Sequence, residues 1–292
     1  MNELSVPAYA KVNLSLELLG KRDDGYHEIL TIMQSISLKD ELLVADAREL
    51  SLECDVAGLE GEANLVIRAA RALRSAAGVA AGARIRLRKG IPVASGLGGA
   101  SADAACVLVA LTRLWGLDPT GLDLAGIAAN LGSDVPFFLS GGTALASGRG
   151  EKLAPLPSPP ERWLVLLVPS HSLEAKTVEL YRRIRPEHWS SGDSTRRLAS
   201  ALKAGMALDE SLMVNSFESV ADQSFPSLPS YREAMLEAGA SRVHLSGAGP
   251  TIYCLTEGRE TADRMAGQLR SLGFSPLLAR TVSSPMDDSS KS

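Results

Sequence analysis

A glycine-rich segment is the strongest chemical feature of the sequence. Its residues are Pro92, Val93, Ala94, Ser95, Gly96, Leu97, Gly98, Gly99, Ala100, Ser101 and Ala102. Phosphate groups are held by closely spaced backbone N–H groups, and a chain wraps them tightly only where side chains are small. A predicted helix at 102–115 would direct its first N–H groups and the positive end of its dipole to the same place. The segment therefore predicts a phosphate-binding loop, with a flexible turn before a helix as the alternative.

Two common phosphate-binding motifs do not match this segment. The GxxxxGK[ST] motif requires a lysine, which the segment lacks. The GxGxxG motif fails because Ser101 stands where the third glycine belongs. The loop therefore represents neither of these two motif classes.

Lys11, Asn13 and Asp134 carry the groups that phosphoryl transfer requires. Lys11 and Asn13 alternate with apolar residues in a predicted half-buried strand, so both side chains leave one face. A carboxylate orients a hydroxyl group, and an ammonium group offsets charge on a moving phosphoryl group. The ordinary alternatives are a solvated strand face for Lys11 and Asn13 and a helix N-cap for Asp134. Sequence spacing alone does not bring these residues together.

The elements that must position these residues form two groups along the chain. In the first group, the predicted strands are 11–19 and 83–88, and the predicted helices are 63–77, 102–115 and 122–131. Four prolines between Pro155 and Pro160 predict a linker, because proline is excluded from helix interiors and central strands. In the second group, the predicted strands are 163–168, 243–245, 251–255 and 277–282, and the predicted helices are 173–184, 228–238 and 259–272. This mixture predicts an α+β sandwich in each half.

Composition excludes several classes of protein. The 292 residues are 45% hydrophobic and 22% charged, which is typical of a globular protein. A net charge of -4 argues against a surface that coats nucleic acid. The three cysteines form no paired motif, which fits a reducing compartment. We see no signal peptide and no apolar run of the roughly 20 residues that a bilayer requires, so we expect a soluble cytoplasmic protein.

Three motifs in order resemble those of the GHMP kinase superfamily. They are Lys11-Val12-Asn13-Leu14, the glycine loop, and Ser246-Gly247-Ala248-Gly249-Pro250. Two further segments, Asp24-Gly25-Tyr26-His27-Glu28 and Leu131-Gly132-Ser133-Asp134-Val135-Pro136-Phe137-Phe138, narrow the resemblance. They are similar to members that phosphorylate the tertiary hydroxyl of a cytidine-diphosphate-linked substrate in the methylerythritol phosphate route to isoprenoids. The resemblance covers about residues 5 to 282.

This resemblance implies a two-domain α+β fold with the active site in the cleft between the domains. Residues 1–157 would form an N-terminal domain like domain 2 of ribosomal protein S5, carrying the ATP loop and the catalytic pair. Residues 158–282 would form a ferredoxin-like C-terminal domain. Residues 283–292 are polar and are expected to be a disordered tail.

The resemblance also implies a role for each candidate residue. Lys11 and Asp134 would be the catalytic pair, with Asp134 orienting the substrate hydroxyl more than removing its proton early. The phosphates of ATP would lie on the glycine loop with bridging Mg²⁺, and Ser101 is a candidate metal or phosphate contact. The substrate-binding residues would be Asn13, Tyr26, His27, Thr177 and Tyr181.

Within the substrate-binding set, His27 would pair with the cytosine edge, and Tyr26 and Tyr181 would stack on the base. A hairpin turn is the alternative interpretation for Tyr26 and His27, and a core aromatic is the alternative for Tyr181. The chain departs from the family pattern at Ala100, where glycine is usual, and at Ser216, where aspartate is frequent.

Two rival functions remain at the level of sequence. One is a homoserine- or mevalonate-type kinase of the same superfamily, against which the cytidine-reading residues argue. The other is a nucleotide-binding module without catalysis, against which the presence of both Lys11 and Asp134 argues. We expect a small-molecule partner and neither a nucleic acid nor a membrane, and the sequence does not indicate an oligomeric state.

Overall fold

Two long antiparallel strands, β1 (Glu3–Lys21) and β2 (His27–Ala47), form the hairpin on which the first half of the chain is built. The computed structural model describes residues 3–169 and 176–283. Strand β2 pairs with β1 on one side. On its other side it pairs with two shorter strands, one at each end. This central position makes β2 the organising strand of the first sheet.

The remaining strands of the first sheet are short. They are β3 (Leu50–Cys54), β4 (Gly82–Arg88), β5 (Thr143–Gly148) and β6 (Lys152–Leu156). The strand order is β3-β4-β2-β5-β6, with β1 paired to β2. Helices α1 (Leu65–Ala77), α2 (Gly99–Leu114), α3 (Leu124–Leu131) and α4 (Val135–Ser140) belong to this half. Helices α1 and α2 pack with β2 and β4 around one hydrophobic cluster.

The second sheet has the strand order of a ferredoxin-like fold. Its strands are β7 (Trp163–Leu167), β8 (His244–Leu245), β9 (Ile252–Thr256) and β10 (Leu277–Arg280). The order β10-β7-β9-β8 corresponds to 4-1-3-2 within the half, and every neighbouring pair is antiparallel. The helices are α5 (Lys176–Arg183), α6 (Asp193–Lys203), α7 (Glu218–Ser224), α8 (Leu228–Glu237) and α9 (Arg259–Ser271). The predicted α+β class and the ferredoxin-like C-terminal half are confirmed.

The predicted half-buried strand at 11–19 is wrong in both length and burial. Strand β1 covers Glu3–Lys21, and residues 8–18 are buried on both faces. Helix α6 accounts for the second face, because the Thr195 N–H donates to Glu17 Oε2 at 2.7 Å. The Thr195 hydroxyl also donates to Ser15 Oγ at 3.0 Å. The polar side of β1 therefore faces an interior between the two halves rather than solvent.

The predicted linker and the predicted start of α2 also need correction. Pro155 lies in β6, where it is tolerated because β6 is the edge strand of the sheet. The chain between Leu156 and Trp163 then passes to the second sheet. Helix α2 begins at Gly99 rather than near Ala102, because Gly98 adopts a left-handed conformation (φ +77°) at the N-cap. The glycine loop is thus shorter than predicted.

The two halves share buried surface. One cluster contains Val12 and Leu14 of β1, Ile32 of β2, and Leu164 and Tyr253 of the second sheet. The tail prediction at 283–292 concerns residues that, from 284 onward, lie outside the described part of the chain. Among the residues that the structure describes, no helix combines the length and apolar character that crossing a membrane requires.

Candidate active site

A cleft of about 660 Å³ lies between the two halves. It collects residues from β1, the β1–β2 turn, the glycine loop, the start of α4, helix α5 and the β8–β9 loop. The predicted site residues that line it are Lys11, Asn13, Tyr26, His27, Gly96, Gly98, Ser101, Asp134 and Tyr181. Residues that are distant in sequence therefore meet in one place.

Lys11 and Asp134 form an ion pair in the wall of the cleft. Lys11 Nζ lies 3.3 Å from Asp134 Oδ2, and the Lys11 side chain is only 4% exposed, against 36% for Asp134. Lys11 Nζ also donates to Asn13 Oδ1 at 2.6 Å. Asn13 Nδ2 in turn donates to Thr31 Oγ1 at 2.8 Å. The ammonium group is therefore fixed on one side, while the carboxylate remains accessible to a ligand.

The N-cap interpretation of Asp134 is wrong as far as its side chain is concerned. Asp134 does precede α4, but its carboxylate makes no capping hydrogen bond. Its backbone is already in the helical region, so the side chain does not fold back onto the helix N–H groups. The carboxylate pairs with Lys11 instead.

The glycine loop lies beside this pair, and its tight fit explains Gly98. A Cβ on Gly98 would lie 2.6 Å from Phe138 Cζ and 3.2 Å from Lys11 Cγ. The Lys11 N–H donates to the Leu97 carbonyl at 3.0 Å, which ties the loop to β1. The first N–H groups of α2 have no partner within the helix and point toward the loop. The loop thus offers backbone donors next to Lys11.

The other face of the loop borders a second cavity of about 380 Å³. This cavity is lined by Pro92, Val93, Ala94, Ser95, Gly96, Gly98, Gly99, Ala100 and Ser101 among others. Gly96, Gly98 and Ser101 line both spaces. A ligand that reaches from the second cavity to the cleft would cross the loop at these three residues.

Leu97 and Ala102 do not present side chains to the cleft. Leu97 is fully buried in the core, and Ala102 is 2% exposed. The Ala102 N–H already donates to the Gly98 carbonyl at 2.9 Å, because α2 begins earlier than predicted. Ala100 lies exposed in the first turn of α2, so its methyl group points away from the packed side of the loop.

The third motif closes on the glycine loop from the second half. The Ser246 hydroxyl donates to the Gly96 carbonyl at 3.1 Å, and the Thr251 N–H donates to the Ser95 carbonyl at 3.2 Å. A Cβ on Gly96 would lie 2.6 Å from the Ser246 carbonyl oxygen. Asn215 Nδ2 donates to the carbonyls of Leu245 and Gly247 at 2.9 Å each. Asn215 thereby fixes the backbone of the third motif through two hydrogen bonds.

An aromatic cluster forms the opposite end of the cleft. The His27 and Tyr181 rings lie 5.0 Å apart at 30°, and Tyr181 packs edge-on against Phe217. Burial, and secondarily the charge of Lys21, lower the pKa of His27 below its usual value of 6.5. A neutral imidazole both donates and accepts hydrogen bonds, which suits recognition of a base edge.

Tyr26 stands at the entrance of this end. It is 55% exposed, and the Arg149 guanidinium lies 4.8 Å from its ring centroid. Its N–H donates to Asp24 Oδ1 at 3.1 Å within the turn between β1 and β2. The hairpin interpretation and a position in the cleft are therefore both correct for Tyr26 and His27. Likewise, Tyr181 packs against the second-half core and also lines the cleft.

One predicted site residue has an undescribed side chain, and several residues of the site were not predicted from the sequence. The side chain of Thr177 is outside the described residues, although its backbone belongs to α5. Sequence reasoning missed Thr31, which supports Asn13, because β2 itself was not predicted. It also missed three cations that line the cleft, namely Lys21, Arg149 and Arg182. Their scattered positions give no local motif.

Comparison with known proteins gave matches over nearly the whole chain. The family model described as GHMP kinases N terminal domain matches residues 64–142, and that described as GHMP kinases C terminal matches residues 195–274. A relative from Pelotomaculum thermopropionicum is 45% identical over 94% of this chain and 96% of its own. A relative from Dehalococcoides mccartyi is 42% identical over 97% of this chain and 100% of its own. Both are named 4-diphosphocytidyl-2-C-methyl-D-erythritol kinase.

One solved structure is similar in both fold and sequence. It is a crystal structure of 4-(cytidine 5'-diphospho)-2C-methyl-D-erythritol kinase, with a TM-score of 0.79 and 37% identity. The match covers 95% of this chain and 99% of that chain.

Proposed function

Since the chain belongs to the GHMP kinase family, we propose that it transfers a phosphoryl group from ATP to the 2-hydroxyl of 4-diphosphocytidyl-2-C-methyl-D-erythritol. This reaction is a step of the methylerythritol phosphate route to isoprenoid precursors. One observation carries the proposal: the glycine loop, the Lys11–Asp134 pair and the His27–Tyr181 pair line a single cleft. A phosphate donor, a reacting hydroxyl and a base each have a matching surface there.

In this reaction Asp134 accepts a hydrogen bond from the substrate hydroxyl and aligns its oxygen with the terminal phosphoryl group. The hydroxyl proton passes to the carboxylate as the new O–P bond forms and the bond between the terminal phosphorus and the β,γ-bridging oxygen of ATP breaks, so that ADP leaves. Lys11, fixed by Asn13, places its positive charge beside the oxygens of the moving group. A loose transition state depends mainly on positioning and charge stabilisation, which a fixed Lys–Asp pair supplies.

The glycine loop would hold the phosphates of ATP. Gly96, Gly98 and Ser101 border both cavities, so the triphosphate would cross the loop there with the nucleoside in the second cavity. The dipole and free N–H groups at the start of α2 favour its negative charge. This arrangement requires few cationic side chains at the loop itself.

The residues present also fit Mg²⁺. No group of three or more His, Cys, Asp or Glu side chains suited to a metal occurs within 3–169 and 176–283. Mg²⁺ usually keeps several waters and is bound largely through substrate phosphates, and the Ser101 hydroxyl lines the cleft at the glycine loop. Ser101 would hold the ion together with the phosphates, and the ion would neutralise charge on the phosphate oxygens when it is bound.

Two predictions from sequence are carried forward as parts of this proposal. The first is the division into domains at residues 157 and 158, which falls between the last strand of the first sheet and the first strand of the second. The second is a cytoplasmic location, which rests on the composition and on the metabolic reaction proposed. Asn13 and Thr177 also remain proposed substrate contacts.

The proposal is tested by measuring ADP release with a panel of alcohols. We expect turnover with the cytidylylated methylerythritol substrate and little or none with homoserine or mevalonate. A uridine-diphosphate analogue serves as the matched control for base recognition, and we expect its KM to be higher. Faster turnover of homoserine or mevalonate would assign the chain to another branch of the family.

A further inference from the structure

A buried three-residue cluster lies beneath the glycine loop and takes no part in the reaction described above. Lys89 Nζ donates to Asp40 Oδ2 at 2.5 Å and to Asp103 Oδ2 at 2.8 Å. The side chains of Lys89, Asp40 and Asp103 are 7%, 0% and 3% exposed. They come from three places in the chain, namely β2, the residue directly after β4 and the first half of α2.

The cluster connects the two ends of the glycine loop. At the entry, Asp40 Oδ1 accepts hydrogen bonds from the N–H groups of Gly90 and Ile91, both at 2.7 Å. At the exit, Asp103 lies in the turn of α2 that follows Gly99 and Ser101. Lys89 bonds to both carboxylates, so its ammonium group sets the distance between the start and the end of the glycine loop.

Lys89 also lies directly against the loop. A Cβ on Gly99 would be 3.3 Å from Lys89 Nζ, so the ammonium group supports the residue at which α2 begins. Both Lys89 and Asp103 line the second cavity, together with most of the loop. The cluster therefore borders the space proposed for the nucleotide without replacing the loop as its contact surface.

The composition of the cluster is unfavourable for a purely structural element. It buries one ammonium group with two carboxylates, and Asp103 Oδ1 has no hydrogen-bond partner among the described residues. Buried charges lose hydration, and apolar residues of similar size are often at least as stabilising in such a position. An unsatisfied buried oxygen adds a further cost. This cost favours a role for the cluster beyond stability alone.

We propose that Lys89 and Asp103 are positioning residues for the nucleotide, acting by fixing the distance and orientation between the two ends of the glycine loop. The inference rests on the proposed function, because it assumes that the loop binds the phosphates. Asp40 serves as the fixed anchor, since it is fully buried and bound to two backbone N–H groups. None of the three side chains needs to touch the reacting atoms.

The test compares Asp103→Ala with Asp103→Asn. The alanine variant breaks the connection to α2 but leaves Lys89 paired with Asp40, so the remaining buried charges are balanced. The asparagine variant keeps an oxygen acceptor for Lys89. Binding is measured by calorimetry with the non-hydrolysable analogue adenylyl imidodiphosphate and Mg²⁺, and the KM for each substrate is measured separately.

We expect Asp103→Ala to raise the Kd of the analogue and the KM for ATP about tenfold, with the KM of the alcohol substrate within about twofold. Asp103→Asn should restore analogue binding to within about threefold of the parent. Asp118→Ala, which removes an exposed carboxylate from a turn, is the control and should bind as the parent does.

Several results would overturn the inference. Analogue binding by Asp103→Ala at the parent level would show that the connection does not position the loop. Equal loss for both substrates, or failure of both the alanine and a serine variant to fold, would assign the cluster to general stability. Absence of analogue binding in the parent protein would instead contradict the proposed function, so the two failures are distinguishable.

Discussion

Single side chains in the cleft differ in what they contribute. Lys11 is buried and bonded to Asn13, whereas Asp134 keeps about a third of its side chain exposed. A fixed cation and an accessible carboxylate suit different tasks, namely charge stabilisation and contact with the substrate. At the aromatic end, the His27 ring lies against the Tyr181 ring. Burial lowers the pKa of His27. Under the proposed function, we expect binding of the base to depend on both the charge state of His27 and its ring contact with Tyr181.

Acid should weaken binding of the cytidine substrate through His27. Its pKa is lowered below 6.5, chiefly by burial, so the ring is mostly neutral at pH 7. The charged ring loses its acceptor, and we expect the KM for this substrate to rise as the pH falls below 6.5. His27→Gln, which cannot titrate, should show a flatter KM profile. An identical profile in both proteins would remove His27 from base recognition.

Tyr181→Ala should raise the KM for the cytidine substrate more than it lowers kcat. Stacking of a base on an aromatic ring contributes about 1–3 kcal/mol, which corresponds to a factor of roughly 5 to 150 in binding. Tyr181→Phe keeps the ring and is the control, with an expected KM within about twofold of the parent. An unchanged KM in the alanine variant would assign Tyr181 to packing against Phe217 alone.

At the scale of elements, the glycine loop and its neighbours are packed so closely that the backbone itself is constrained. Gly98 combines a φ of +77° with contacts to Phe138 and Lys11 that leave no space for a Cβ. The loop is bonded to β1 through Leu97 and to the β8–β9 loop through Ser95 and Gly96. Three elements thus fix the surface that is proposed to bind the phosphates.

Gly98→Ala should reduce kcat/KM for ATP at least about tenfold, because the methyl group would displace Phe138 or the stem of Lys11. Gly116→Ala is a matched control. Gly116 also has a positive φ, of +62°, but nothing lies within 4 Å of the position that an added methyl group would take. The control therefore carries the left-handed backbone strain of roughly 1–2 kcal/mol without the collision. Equal kinetic effects of both substitutions would show that strain alone is responsible.

The prediction of elements from sequence succeeded where the sequence has a helix-terminating glycine or a clear hydrophobic periodicity. Helix α1 ends at Ala77 with Gly78 in a left-handed conformation, as the glycine indicated. Strand β2 was missed because Thr31, Gln34 and Ser35 are buried within it and interrupt the apolar alternation. Helix α6 was missed because its polar sequence contributes few apolar residues to the core. Both depend on partners that are distant in sequence.

At the scale of the whole molecule, the cleft exists because the second half covers the polar face of β1. The Tyr253 hydroxyl from the second sheet donates to the Asn13 carbonyl at 2.8 Å. Thr195 of α6 bonds both Glu17 and Ser15. No sequence period reveals such contacts, because they join residues about 180 or more positions apart. The motifs indicated the site residues, but their meeting place depends on this packing.

Tyr253→Phe should reduce the free energy of unfolding by about 1–2 kcal/mol, because a buried carbonyl would lose its donor. Burial raises the pKa of Tyr253 well above its usual value, so the hydroxyl stays protonated and remains a donor at neutral pH. Urea unfolding measures the difference. Tyr231→Phe, in a ring that packs on Phe274, is the control and should change stability by less than about 0.5 kcal/mol. Equal effects would indicate that the Asn13 contact is unimportant.

The central claim is that the Asp134 carboxylate, next to Lys11, orients the hydroxyl that receives the phosphoryl group. The most direct test is the steady-state kinetics of Asp134→Asn, which keeps the shape of the side chain but removes its charge. We expect kcat to fall by about 10²- to 10⁴-fold, with the KM for ATP and for the cytidine substrate within about threefold. A kcat within about twofold of the parent would contradict the account.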